Sequence, residues 1–99
     1  LFSRTRDFHI AFSKAFLDTD IVIITDIYPA REAPIKGVSS QLLVDGIKLL
    51  GHDNVHYVSN VNDIPLLVKS IAKASDIIIT MGAGHIWRQC ETIAQVLDA

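Results

Sequence analysis

The sequence predicts an α/β fold, a doubly wound open sheet, and three observations carry that prediction. Segments with apolar residues at helical spacing alternate with short runs of β-branched residues. The helical segments run to ten or more residues, so the strands they separate must lie parallel, with right-handed crossovers. The length of 99 residues, 49% hydrophobic and 20% charged, suits one domain. A chain of this size buries roughly 60–70% of its unfolded surface, enough for one modest core.

The elements follow in order. From about Thr5 to Leu17, Phe8, Ala11, Phe12, Ala15 and Phe16 recur at helical spacing, with Asp7 in the first turn, where a negative charge suits the helix dipole. Asp18-Thr19-Asp20 breaks that pattern. Ile21 to Ile24 are consecutive and β-branched, as in a strand covered on both faces, which ends near Asp26-Ile27-Tyr28. Two prolines and Gly37 forbid a regular element from Tyr28 to Gly37, a connection longer than the usual ~2–6 residues. A second helix is predicted from Ser39 to Leu50, capped by Ser39 or Ser40, with Leu43, Ile47 and Leu50 inward and Gly51 as its stop. Asn54 to Ser59 forms a short strand. A third helix starts near Val61 with Asn60 or Asn62 as cap, accepts Pro65 in its first turn, and buries Ile64, Leu67, Val68 and Ile71. A strand from Ile77 to Thr80 leads through Met81-Gly82-Ala83-Gly84 into a fourth helix with Ile86, Cys90, Ile93 and Leu97 inward; Trp87 and Met81 read as packing residues.

The resulting order is α-β-α-β-α-β-α. Three strands make a narrow sheet, and a chain that opens on a helix lacks the strand before it. Together with Leu rather than Met at the start and no signal-peptide layout, this reads as a piece of a longer protein with at least one βα unit upstream.

Charge and composition exclude several classes. Nine Lys and Arg against eleven Asp and Glu give a net charge of -2, no footprint for nucleic acid or an anionic membrane. The longest apolar runs fall far short of the ~20 residues of a membrane span. One cysteine, Cys90, excludes an internal disulfide and cysteine-based metal motifs, and its helical position reads as a core thiol. The four histidines, His9, His52, His56 and His85, show no ligand spacing.

Ligands of an open parallel sheet bind beyond the carboxyl ends of its strands. Three segments are expected there: Ser3-Arg4-Thr5-Arg6, the loop from Asp26 to Gly37, and the turn from Met81 to His85. Gly82-Ala83-Gly84 either lets a ligand approach the backbone or simply turns the chain, since Trp87 stands where the dinucleotide fingerprint wants another glycine. Arg4 and Arg6 oppose the helix dipole, either to await an anion or as solvated surface residues. Arg31 either pins its loop through Glu32 or Asp26 or meets a substrate carboxylate.

Three segments carry a family resemblance. Phe2-Ser3-Arg4-Thr5-Arg6-Asp7 resembles the F/Y-S-R-T-R-D segment of the UDP-N-acetylmuramate–L-alanine ligase family. Asp26-Ile27-Tyr28-Pro29-Ala30-Arg31-Glu32 with Pro34-Ile35-Lys36-Gly37-Val38-Ser39-Ser40 resembles its D-I-Y-x-A-x-E-x-P-I-x-G-V-S-S. Thr80-Met81-Gly82-Ala83-Gly84 with Ile86-Trp87 resembles its T-M-G-A-G-D-I-W. The match runs in order across nearly the whole chain. The family has three domains, and the resemblance makes residues 1–99 most of the third. That is the amino-acid-binding domain, Rossmann-like with a mainly parallel sheet in three layers, here without its first strands and helix. Two positions depart from the pattern: Leu1 stands where Arg is frequent, and His85 where Asp or Asn is common.

The resemblance implies a cytoplasmic, ATP-dependent amide ligase that adds L-alanine to UDP-N-acetylmuramate in peptidoglycan synthesis. ATP phosphorylates the muramate carboxylate, the alanine amine attacks the acyl phosphate, and phosphate leaves. ATP and Mg would be bound mainly by the central domain, which is not in this sequence, so the piece alone is expected to be inactive. The partners implied are the nucleotide sugar, L-alanine, ATP and the remaining domains of the same chain, with no nucleic acid and no membrane. Arg4 takes the family's catalytic arginine role, suited to charge developing on the phosphoryl group and the tetrahedral oxyanion. Tyr28, Arg31, Glu32, Gly82, Ala83 and Gly84 take the role of receiving the amino acid; no metal ligand is implied. Two other readings stay in view: the ligase that reattaches a recycled tripeptide to the same sugar, and a non-catalytic nucleotide-binding α/β module.

Overall fold

A computed structural model describes residues 1–28, 32–82 and 86–98. The described residues form a small α/β structure with a two-stranded parallel sheet and four α-helices, in two compact units, Leu1–Ser59 and Asn60–Ala99.

In the first unit α1 spans Phe2–Ala15, β1 Val22–Ile24, α2 Ser40–Leu49 and β2 Val55–Tyr57. The strands pair parallel, with Val22 opposite Val55, Ile23 opposite His56 and Ile24 opposite Tyr57. A parallel pair needs a long crossover, and α2 supplies it. Val22, Ile24, Val44, Ile47 and Val55 form the buried core, with Phe16 and Leu43 packed on its margin. Two serines set the start of α2. Ser39 caps it by accepting the Gln41 amide at 3.2 Å, and buried Ser40 donates its hydroxyl to the Thr25 carbonyl just beyond β1. Leu50, expected inward, is exposed, because the helix ends at Leu49.

Helix α1 differs from the sequence reading in start and in face. It begins at Phe2 rather than Thr5, so Asp7 lies beyond the first turn and Arg4 within it. Its buried residues are Thr5 and Ser13, whereas Phe8 and Phe12 are exposed and lie against each other at 6.3 Å between ring centroids. The physical cause is the contact with α2. Ser13 sits directly against Gly46, and a backbone approach that close admits only small side chains. The hydroxyls cost little to bury because each bonds within its own helix, Thr5 to the Leu1 carbonyl at 3.0 Å and Ser13 to the His9 carbonyl at 2.8 Å.

The second unit holds a 3₁₀ turn, Val61–Asp63, then α3, Ile64–Ile71, and α4, Arg88–Leu97. Asn60 accepts the Asn62 amide at 3.0 Å, and Pro65 falls in the first turn of α3, where no amide hydrogen is needed. Ile64, Pro65 and Val68 are buried on α3, and Gln89 and Ile93 on α4.

Three expectations fail here. The run Ile77–Thr80 is not a strand: Ile77 is 87% exposed and Ile79 73%, and no ladder reaches them among the described residues. β-branched residues make a segment fit for a sheet, but only a neighbour's amides and carbonyls make it a strand. Cys90 is exposed rather than a core thiol, because Gln89 takes the inward position one residue earlier. Trp87 and Met81 are exposed too, and the Arg88 guanidinium stacks 5.3 Å from the Trp87 ring centre instead of a core packing against it.

Candidate functional site

Both strands of the first unit end on the same side, and the chain beyond them is held by two carboxylates. Extending the strand register two residues past Ile24 and Tyr57 sets Asp26 level with Ser59. Ser59 donates to Asp26 Oδ2 at 2.6 Å, and the Tyr57 phenol donates to Oδ1. Hydrogen bonds from Ser59 and then Tyr57 hold the Asp26 carboxyl below the usual aspartate range. Donating to Asp26 pushes the Tyr57 phenol up.

Glu32, six residues on, reaches the N-terminus of α1. Ser3 Oγ donates to Glu32 Oε2 at 2.6 Å, and the Ser3 amide donates to Oε1 at 3.2 Å. An unpaired amide of a helix's first turn is a natural partner for a carboxylate. These two bonds, the hydroxyl's first, hold the Glu32 carboxyl below the ordinary glutamate range.

Arg4 follows Ser3 directly and is exposed. It has no ion-pair partner among the described residues, unlike Arg6, which meets Asp7 at 2.9 Å. That surface pair raises the guanidinium and lowers the carboxyl through their shared hydrogen bond. The first unit thus presents an exposed Arg4 one residue after the serine that holds Glu32. Such an arrangement can attract a carboxylate or a phosphate. Among the described residues, no group of three or more His, Cys, Asp or Glu side chains is placed to hold a metal ion.

No family model matches the chain. Individual relatives do. The UDP-N-acetylmuramate–L-alanine ligase of Geotalea uraniireducens is 44% identical over 96 residues, 97% of this chain and 21% of that protein. The enzyme of the same name from Geobacter sulfurreducens is 41% identical over 97 residues, 98% of this chain and 21% of that protein. That of Salinibacter ruber is 37% identical over 98 residues, 99% of this chain and 21% of that protein. The chain belongs to the UDP-N-acetylmuramate–L-alanine ligase family. It spans about a fifth of the length of the curated relatives it matches.

Of the residues that the ligase resemblance marks, the first unit brings together the N-terminus of α1, where Arg4 lies, and Glu32, through Ser3. Tyr28 lies in the same loop with an exposed ring. Gly82 lies in the second unit at φ +142°, a conformation open mainly to glycine. Arg31, Ala83 and Gly84, and His85 beside them, lie outside the described residues. Sequence reasoning missed Ser3, Tyr57 and Ser59. Ser3 stood in a recognised ligase segment but was passed over for its arginines. Tyr57 and Ser59 could be found only from the register, which puts residues 33 apart in sequence level across the sheet.

Proposed function

We propose that the chain is the amino-acid-binding, C-terminal domain of a UDP-N-acetylmuramate–L-alanine ligase. The whole protein would join L-alanine to UDP-N-acetylmuramate in the cytoplasm, as a step of peptidoglycan synthesis, through an acyl phosphate. The parent domain would be Rossmann-like, a doubly wound, mainly parallel sheet in three layers, with this piece lacking its first strands and helix. Supporting this reading are the identity to named ligases over nearly the full chain and an exposed Arg4 that directly follows the serine holding Glu32. The second is the observation that carries the site.

ATP and Mg belong to other parts of the parent protein in this reading. The described residues offer no carboxylate or histidine cluster that fits the metal. The chain's own contribution is positional and electrostatic. Arg4 would hold negative charge where the acyl phosphate and then the tetrahedral oxyanion form. The loop bearing Tyr28, Arg31 and Glu32 and the turn Gly82-Ala83-Gly84 would receive the amino acid. The recycled-tripeptide ligase and the non-catalytic nucleotide module are not favoured, since the relatives reported above carry the alanine-ligase name. Among the described residues, no helix is long and apolar enough to cross a membrane.

The test is ligation by the full-length enzyme. With Mg and ATP it should convert UDP-N-acetylmuramate and L-alanine to the amide with release of phosphate. The 99-residue piece alone should neither bind ATP tightly nor hydrolyse it. Full-length enzyme that forms no amide from L-alanine, or magnesium-dependent ATP turnover by the piece, refutes the reading.

A further inference from the structure

We infer that Ser3 and Glu32 form a latch that holds Glu32 against the N-terminus of α1, and that Glu32 serves ligation as a positioning residue rather than by touching the amino acid. This deepens the ligase reading and rests on it for its kinetic consequence.

Three observations carry the inference. Both oxygens of Glu32 are engaged by one residue, the Ser3 hydroxyl at 2.6 Å on Oε2 and the Ser3 amide at 3.2 Å on Oε1. A carboxylate used in this way has given its best lone pairs to the protein, and an incoming ammonium group would have to compete for them. The loop is also held at its other end, because both oxygens of Asp26 are taken by Tyr57 and Ser59. Only residues 27–31 lie between the two fixed points, Tyr28 with its exposed ring among them. Finally, Ser3 is followed directly by Arg4 in α1. One residue therefore ties the start of the helix that carries Arg4 to Glu32, across 29 positions of sequence. A carboxylate held in advance by the protein does not meet the ordering cost that a free side chain meets on binding.

The experiment uses the full-length ligase with Ser3→Ala, Glu32→Gln, the double variant and Ser3→Thr. Loss of a hydrogen bond to a charged group should raise the KM for L-alanine about tenfold in each of the first two. The KM for ATP should stay within about twofold, because the change is confined to one loop. The double variant should be no worse than either single one, as expected when two residues act as a unit. Ser3→Thr keeps the hydroxyl and should restore the wild-type KM. A readout independent of turnover is the NMR titration of the Glu32 side-chain carboxyl. It should lie below the ordinary glutamate value in the wild type and move up in Ser3→Ala.

Direct contact between Glu32 and substrate predicts otherwise: Ser3→Ala would leave the KM for L-alanine unchanged while Glu32→Gln raised it, or the two effects would add. Either result overturns the latch, as does an ordinary Glu32 titration in the wild type. If the wild type forms no amide from L-alanine, the ligase reading fails, and the latch then stands or falls on whether Ser3→Ala moves the Glu32 titration.

Discussion

Replacing Gly46 by Ala sets two effects of opposite sign against each other, and the structure decides which wins. On helix propensity alone, Gly→Ala inside a helix stabilises by about 1 kcal/mol. Gly46, however, lies directly against Ser13 of α1. A Cβ at position 46 would stand well inside van der Waals contact of Ser13 Oγ and 3.2 Å from Ser13 Cβ. Ser13 is 1% exposed, so its side chain cannot swing into solvent. Rotating the hydroxyl away breaks its 2.8 Å bond to the His9 carbonyl, at a cost of about 1 kcal/mol. The Cβ–Cβ approach survives any rotation and forces the helices apart, an overpacking that costs about 1–3 kcal/mol. Net destabilisation should be about 1–3 kcal/mol, a fall of roughly 5–20 °C in Tm for a domain of this size. Urea unfolding of wild type, Gly46→Ala, Ser13→Ala and the double variant measures it, with m expected to stay constant. Ser13→Ala in the Gly46→Ala background removes the clashing oxygen and should recover at least about 1 kcal/mol. A Gly46→Ala protein as stable as the wild type or more stable would show that propensity rules at this position, and the close helix contact argued here would be wrong.

Asp26→Asn should flatten the acid limb of stability. The folded carboxyl lies below its ordinary value near 3.8, so its contribution is present above that pH and is lost as pH falls through the lower folded value; urea midpoints from pH 2 to 7 that leave the two proteins parallel would refute this. Gly82→Ala places a Cβ 3.3 Å from Ile86 Cγ2 at φ +142°, which L side chains rarely adopt, and should cost about 1–3 kcal/mol by thermal unfolding. If the turn 82–84 also receives the amino acid, the KM for L-alanine rises more than that for ATP after normalising to folded full-length enzyme; a uniform loss of activity instead assigns the glycine to turning the chain. Arg4→Ala in the full-length enzyme should lower turnover at least about tenfold, the scale of losing one donor to a developing negative charge. Its Tm should hardly move, since Arg4 is exposed and has no ion-pair partner among the described residues.

The sequence by itself determined the class and most of the elements. Runs such as Ile21–Ile24 and the spacing of Leu43 and Ile47 are local signals, and the serine at α2 and the asparagine before the 3₁₀ turn act on amides two residues away. The order of elements then required the parallel pair. The motif segments carried the family, because a motif is a string and needs no coordinates. What only the tertiary structure decided is which neighbour each residue meets. Phe8 and Phe12 make the stronger apolar stripe on α1, yet Ser13 goes inward, because Gly46 on another helix leaves room only for a small side chain. Ile77–Thr80 has the composition of a strand, but a strand needs a neighbouring edge to pair with, and none reaches it among the described residues. Asp26 and Ser59, and Ser3 and Glu32, come together only because a parallel register and a helix start bring distant positions level. Local preference acts over a few residues of chain, whereas packing and hydrogen bonding act through space, and the candidate site is built from the second kind of contact.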